Sequence, residues 1–451
     1  MSRLKIIFIS ILLISSIFAQ EIQSTYEQTA NKIISALEKD SIGYNRLGYL
    51  CDMFGPRLSG SRNLERAIDW AISEMKKDGL TNVKGERVKV PTWIRGEESL
   101  KILVPFERDL RVLGIGGSVS TNKAGVRGEV VVVDSFDDLE RNKKNVRGKI
   151  VLYNVPFTTY GETVKYRYDG PIRAAKYGAI ASLIRSVGTW SMDTPHTGTM
   201  GEYTTAKKIP HAAITSEDAM MISRISKRGK RVVLKLNMDA KFVEDRWSRN
   251  IIAELKGSTH PEEIVVIGGH MDSWDVGQGA HDDAGGCIAA WRAVTLIKGL
   301  GLMPRRTLRV VLWTNEENGS RGSRNYRNEH LNELENHILA IESDGGVFAP
   351  QGFGFTGSKE ARKVVYDIAD LLDPIGAGKI TNWGRAPDIA ILNDEGVPVM
   401  SLNVDNSKYF WYHHTSADTF DKVDYKEFND CIAAMAIMAY VVADMEQRLP
   451  R

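Results

Sequence analysis

At 451 residues the chain exceeds one ordinary domain and is sized for two or three, each burying its own core. With 43% hydrophobic and 26% charged residues, no low-complexity tract and no internal repeat, it is excluded from the disordered, fibrous and repeat classes. The formal charge of +2 falls to neutrality if a leader carrying Arg3 and Lys5 is removed, so nothing electrostatic argues for nucleic acid or an anionic membrane as partner.

The chain opens on MSRLKIIFISILLISSIFAQ, where Arg3 and Lys5 precede an apolar run from Ile6 to Ile14 and small residues ending at Ala19. This predicts a cleaved secretory signal over residues 1–19, its apolar run too short to span a bilayer. The product is expected to be secreted or held in the lumen of the endoplasmic reticulum, Golgi or lysosome, without a membrane anchor. Residues 20–44 are the stretch that a zymogen would lose as a propeptide. Three cysteines, Cys51, Cys287 and Cys431, allow at most one internal disulfide and match no zinc spacing.

From about Ser24 to Gly79 the patterns are helical. In NLERAIDWAISEMKKDG, Leu64, Ala67, Ile68, Ala71 and Met75 recur at helical spacing and Gly79 closes the pattern. From about Arg111 to Asp239 the chain turns to short strands (GEVVVVDSF, KIVLYNVPF, RVVLKLNM), with one helical stretch, AAKYGAIASLI. The basic SKRGKR, Ser226 to Arg231, reads as a helix end turning into a strand, and GIGGSV at Gly114 lacks the third glycine of a dinucleotide loop. From Asn250 onward EIVVIGG, TLRVVLWT, ILAIESD and VPVMSLNV are continuous apolar runs, each followed by helix-compatible sequence. Such runs predict an α/β fold with a mixed, mostly parallel sheet covered by helices. The divisions are 45–110 and 240–451 for that domain, and 111–239 for a domain inserted into it. CIAAMAIMAYVV, from Cys431, is read as a buried helix.

Open α/β sheets bind ligands beyond the carboxyl ends of their strands. EIVVIGG delivers His270 and Asp272 there, TLRVVLWT delivers Glu316 and Glu317, ILAIESD delivers Asp344, and VPVMSLNV leads to His413 and His414. Carboxylates crowded in this way repel unless a cation sits among them. Nitrogen and oxygen donors without thiolates suit zinc, and more donors are present than one zinc needs, which makes two ions sharing one carboxylate the economical arrangement.

GGHMDSWDVGQGAHDDAGG, TNEEN, ESD and HHTSADT, in that order and spacing, resemble the co-catalytic di-zinc aminopeptidase family. The resemblance implies two zinc ions: His270 and Asp344 on one, Glu317 and His414 on the other, and Asp282 bridging. It further implies Glu316 as general base, Asp272 as the carboxylate orienting His270, a zinc exopeptidase fold with a protease-associated domain as the insertion, and a homodimer. Asp275, His281 and Asp283 are not expected to be ligands. His196 and His211 are expected to be structural, with TPHTGTMGEY overhanging the site, and Tyr409 and Tyr412 to flank the pocket.

The expected activity is hydrolysis of dipeptides or short peptides with free termini by a hydroxide held between the ions, with Glu316 carrying the proton to the leaving amine. An aminopeptidase acting on longer peptides and a catalytically inactive, receptor-type binding protein are the alternatives. The complete ligand set opposes the second. Asn318-Gly-Ser is the only glycosylation sequon and abuts the glutamate pair, so it is expected to carry no glycan.

Overall fold

The four apolar runs that follow Asn250 are adjacent strands, as their two-sided hydrophobicity requires. The computed structural model describes residues 22–203 and 207–451, and the expected signal over 1–19 lies outside them. In chain order β1 (Thr81–Ile94) is followed by β2 (Glu98–Val104), β3 (Arg108–Leu110), β4 (Val112–Gly114), β5 (Val126–Val133), β6 (Ile150–Tyr153), β7 (Ala181–Arg185), β8 (His211–Ile214) and β9 (Val233–Met238). Then come β10 (Lys241–Leu255), β11 (His260–His270), β12 (Arg306–Trp313), β13 (His337–Glu342), β14 (Pro350–Thr356), β15 (Lys379–Thr381) and β16 (Val399–Val404).

The first sheet runs β1-β10-β12-β11-β13-β16-β14-β15. Its centre, β12-β11-β13-β16, is parallel, while β10 and β14 join it antiparallel; four of the seven pairings are parallel, so the sheet is mixed. Every residue of β12 and β13 is buried, because helices cover both faces. One face takes the helices Gly285–Gly299 and Tyr425–Asp444, the latter containing CIAAMAIMAYVV. No helix among the described residues is long and apolar enough to cross a membrane. Helix Arg62–Lys77 buries Leu64, Ala67, Ile68, Ala71 and Met75, and Ser61 caps it by accepting the Leu64 N–H.

The second sheet, β3-β2-β9-β5-β6-β7-β8-β4, is built wholly from the insertion and has apolar clusters of its own. It starts earlier than residue 111. β2 pairs with β9 and β3 with β2, because Leu100 and Ile102 find their apolar partners there. AAKYGAIASLI is not one helix either: helix Gly170–Lys176 ends before Gly178, whose φ is 83°, and the rest enters β7 between β6 and β8. A short apolar run fits both periods, and here the parallel ladder decides.

Residues 22–37 form a helix whose buried side, Ile22, Tyr26, Ala30, Ile33 and Leu37, belongs to the main core. Tyr26 meets Tyr440 edge to face, Asn429 donates to the Leu37 and Asp40 carbonyls, and Arg292 grips Asp40 with two 2.8 Å bonds. Ile33→Ala is expected to cost about 2–5 kcal/mol, measured by urea unfolding of the purified protein. An unchanged midpoint and slope would mean that the mature protein has shed this segment.

Candidate active site

β11 ends at His270, and the Asp272 carbonyl lies 2.9 Å from its Nδ1. A carbonyl only accepts, so Nδ1 carries the proton and Nε2 is turned toward Asp344 Oδ1 at 3.1 Å and Asp282 Oδ1 at 3.2 Å. The other oxygen of Asp282, Oδ2, lies 3.2 Å from Nε2 of His414, and His414 is 3.1 Å from Glu317 Oε2. The structure thus brings all five sequence-predicted ligands together as two clusters that share Asp282. His413 comes with them: its ring stacks on His414 with centroids 3.5 Å apart, and its Nε2 is 3.7 Å from Asp282.

Glu316 and Glu317 lie in a turn just beyond β12. Glu317 is anchored through Oε1, which accepts the Trp274 N–H. Glu316 points elsewhere, with its carboxylate 4.0 Å from His270, its side chain 19% exposed, and, among the described residues, no backbone N–H on its carboxylate. Asp272 is placed differently from the expectation. Its carboxylate is 3.9 Å from the His270 ring and instead accepts the N–H groups of Glu316 (3.1 Å) and Glu317 (3.4 Å) and the Ser59 hydroxyl. It holds the glutamate turn, while its own carbonyl orients the imidazole.

The three residues not expected as ligands are engaged elsewhere. Asp275 pairs with Arg95, and Asp283 accepts the N–H groups of His270 and Gly286. His281 stacks on Phe348, accepts the Val347 N–H and donates to the Lys422 carbonyl; burial lowers its pKa to about 4. His196 and His211 are buried against the Trp190 and Ser182 carbonyls. Tyr409 lines the cleft, whereas Tyr412 stacks on His281.

Sequence reasoning missed three supports. Asp418 accepts the His281 N–H (2.8 Å) with one oxygen and the Asp282 N–H (3.2 Å) with the other, which fixes the shared carboxylate. Arg57, fully buried, donates to the carbonyls of Gly55, Met271, Gln278 and Gly279 and so holds the loop between His270 and Asp282. Arg167, from the insertion, reaches the Thr197 carbonyl behind His414. The only signals for the first two were an acid inside HHTSADT and an arginine inside CDMFGPRLSG, neither segment showing what its side chain grips, and Arg167 had no signal at all.

Burial, then the neighbouring carboxylates, push Glu316 and Glu317 well above the ordinary carboxyl range. Asp282 is held well below it: burial opposes, but His270 and His414 prevail. The donors suit bound cations. Asp282 Oδ2 is buried without a hydrogen bond, and the 3.1–3.2 Å separations between ligand atoms approach the roughly 3.3 Å of a tetrahedron with zinc bonds of about 2.0–2.1 Å. The centre opens into a cleft of about 880 Å³, walled by both domains through Trp93, Tyr160, Thr199–Tyr203, Phe242, Asn318–Arg321 and Phe410.

Strand ends of the sheet's parallel centre that gather imidazoles and carboxylates beneath a cleft give the arrangement of a metal-dependent enzyme. The signature of peptidase family M28 matches residues 250–439, and the chain belongs to that family. It is 46% identical to carboxypeptidase Q of Mus musculus over 95% of this chain and 92% of that one. The crystal structure of a peptidase M28 precursor from Shewanella amazonensis superposes with a TM-score of 0.92 at 36% identity, covering 95% and 99% of the two chains. A zinc aminopeptidase from Bacillus subtilis shares the fold, with a TM-score of 0.67 at 19% identity, over 90% and 96%.

Asp418→Ala should weaken divalent-metal binding about 10–100-fold, the usual effect of losing a group that orients a ligand. Competition against a chromophoric chelator measures it, and an unchanged affinity would remove Asp418 from the support of Asp282.

Proposed function

We propose that this chain is a secretory-pathway exopeptidase that holds two zinc ions and hydrolyses dipeptides or short peptides with free termini. The observation that carries the reading is the pair of donor clusters joined at Asp282, His270 and Asp344 on one side and His414 and Glu317 on the other, open to a cleft of about 880 Å³. His270, Asp282 and Asp344 would hold one ion, and Asp282, Glu317 and His414 the other. Zinc bound there would supply Lewis acidity toward the scissile carbonyl and lower the pKa of an attacking water.

Glu316 is the carboxylate of the group best free to move a proton: it stands 4.0 Å from the His270 ring, outside the 3.1–3.2 Å contacts of the ligand acids, and at 19% is more exposed than Asp282, Glu317 or Asp344. It would take a proton from water and return it to the departing amine. Asp272 positions it through the Glu316 N–H. Tyr409 and Tyr160 wall the cleft and exclude water from one side. The names of the relatives support the reading, one being a carboxypeptidase and the other a zinc aminopeptidase. The protease-associated character of the insertion, the homodimer and the secreted or lysosomal location belong to the same proposal and rest on the resemblance carried by the sequence motifs; the packing of Ile22, Tyr26, Ala30, Ile33 and Leu37 in the main core speaks for retention of residues 22–37, not for their loss as a propeptide. A cleft larger than a dipeptide favours, as second reading, an aminopeptidase taking longer peptides.

Glu316→Gln is expected to retain the fold and bound zinc while lowering kcat about 10²–10⁴-fold on a dipeptide; normal turnover would strip Glu316 of its role. Chelation should abolish hydrolysis and added zinc restore it. Acetylating the amino end should block cleavage under either reading, whereas full activity on peptides of five or more residues would favour the aminopeptidase.

A further inference from the structure

The cleft that holds the acidic centre also carries cations that no acid neutralises. Arg321 and Arg324 lie on the first turn of helix Arg321–Glu329, three residues apart and hence on one face, and both line the cleft with Glu316, Glu317 and Asp344. Among the described residues neither guanidinium makes an ion pair or a side-chain hydrogen bond; only their backbone N–H groups are engaged, by Asn315 and Ser320. The next arginine of the helix, Arg327, faces Glu395 at 3.6 Å, so on this helix the two arginines that meet the cleft are the unpaired ones.

Their position is fixed by the same turn that presents the glutamates. Asn315 has φ 67° and Ser320 φ 48°, the Ser320 N–H returns to the Asn315 carbonyl, and the Asn315 side chain accepts the Arg321 N–H. The backbones that carry the cationic pair and Glu316 are therefore held by one turn. A carboxylate entering the cleft meets fixed positive charge at these two side chains, and a planar guanidinium matches a carboxylate in a two-pronged geometry.

We propose that Arg321 and Arg324 form a subsite that reads a free carboxylate on the substrate, and so decide the preference for unblocked carboxyl ends. This rests on the peptidase reading above. The carboxylate is the terminal one of a short peptide; an acidic side chain presents the same group, and the test separates the two.

Wild type, the double variant Arg321→Gln/Arg324→Gln and the charge-keeping Arg321→Lys/Arg324→Lys are assayed on Ala-Phe, Ala-Phe-amide and Ala-Glu-amide. The readout is the ratio of kcat/KM between substrates. In the glutamine variant the preference for Ala-Phe over Ala-Phe-amide should fall about tenfold, as expected for charged hydrogen bonds at a partly exposed site, through KM, and the lysine variant should regain part of it. If only the preference for Ala-Glu-amide over Ala-Phe-amide falls, the subsite stands but reads an acidic side chain. If both ratios match wild type, the subsite is overturned. A wild type inactive on all three with zinc bound would overturn the peptidase reading and this inference with it.

Discussion

Carboxylates buried within a few ångströms of one another repel, and around His270 the repulsion is resolved in two ways. Asp272, Asp283 and Asp418 each accept two backbone N–H groups, and Glu342 accepts those of Asp388 and Ile389. Their charge is spent on holding loops. Asp282, Asp344 and the free oxygen of Glu317 meet imidazole nitrogens instead, in geometry that a cation would complete. Availability of backbone donors thus separates the scaffold acids from the ligand acids.

The same rule accounts for the glycines between Gly268 and Gly286. Asp283 is drawn so close to the strand that a Cβ on Gly269 would lie 2.2 Å from its Oδ2, and one on Gly286 2.3 Å from its Oδ1. Only residues without side chains let both N–H groups reach that carboxylate. Gly277 and Gly279 serve a different need, adopting φ 68° and 57° so that the loop turns back and brings Asp282 beside His270. Arg57 then fastens that loop by its carbonyls, a buried cation compensated by hydrogen bonds at every side.

The insertion is tied into the centre, not merely set above it. Arg95, in the link between β1 and β2, grips Asp275 and the Gly114 carbonyl, and the Thr197 N–H donates to the carbonyl of His414 at 2.9 Å. Tyr160 stacks on Phe410 and meets His413 edge to face. A histidine at left-handed φ (60°) between two domains is thereby held from the insertion's side as well as from its own loop. The segment after Thr197 that walls the cleft follows directly from this tie.

How far the chain alone revealed this depends on the kind of interaction. The candidate ligands His270, Glu317, Asp344 and His414 were legible because strand ends are marked by long apolar runs, and because His, Asp and Glu at four such ends have few other reasons to be there; Asp282, in the loop beyond β11, was named by the family resemblance. Helix Arg62–Lys77 was legible from periodicity. Asp418, Asp283 and Arg57 were not, since each acts on backbone groups that only the tertiary fold brings near. The boundary at residue 98 was hidden for the same reason: β2 is a strand by virtue of pairing with β9, over a hundred residues away. The glutamate pair is the instructive mixture. Strand alternation would send Glu316 and Glu317 to opposite faces, but β12 has ended at Trp313 and the two occupy a turn. Their divergence comes from Asn315 in the left-handed region, from Asp272 gripping both N–H groups, and from Trp274 claiming one oxygen of Glu317. The different surroundings of the adjacent glutamates are therefore imposed by their hydrogen bonds and not by strand alternation.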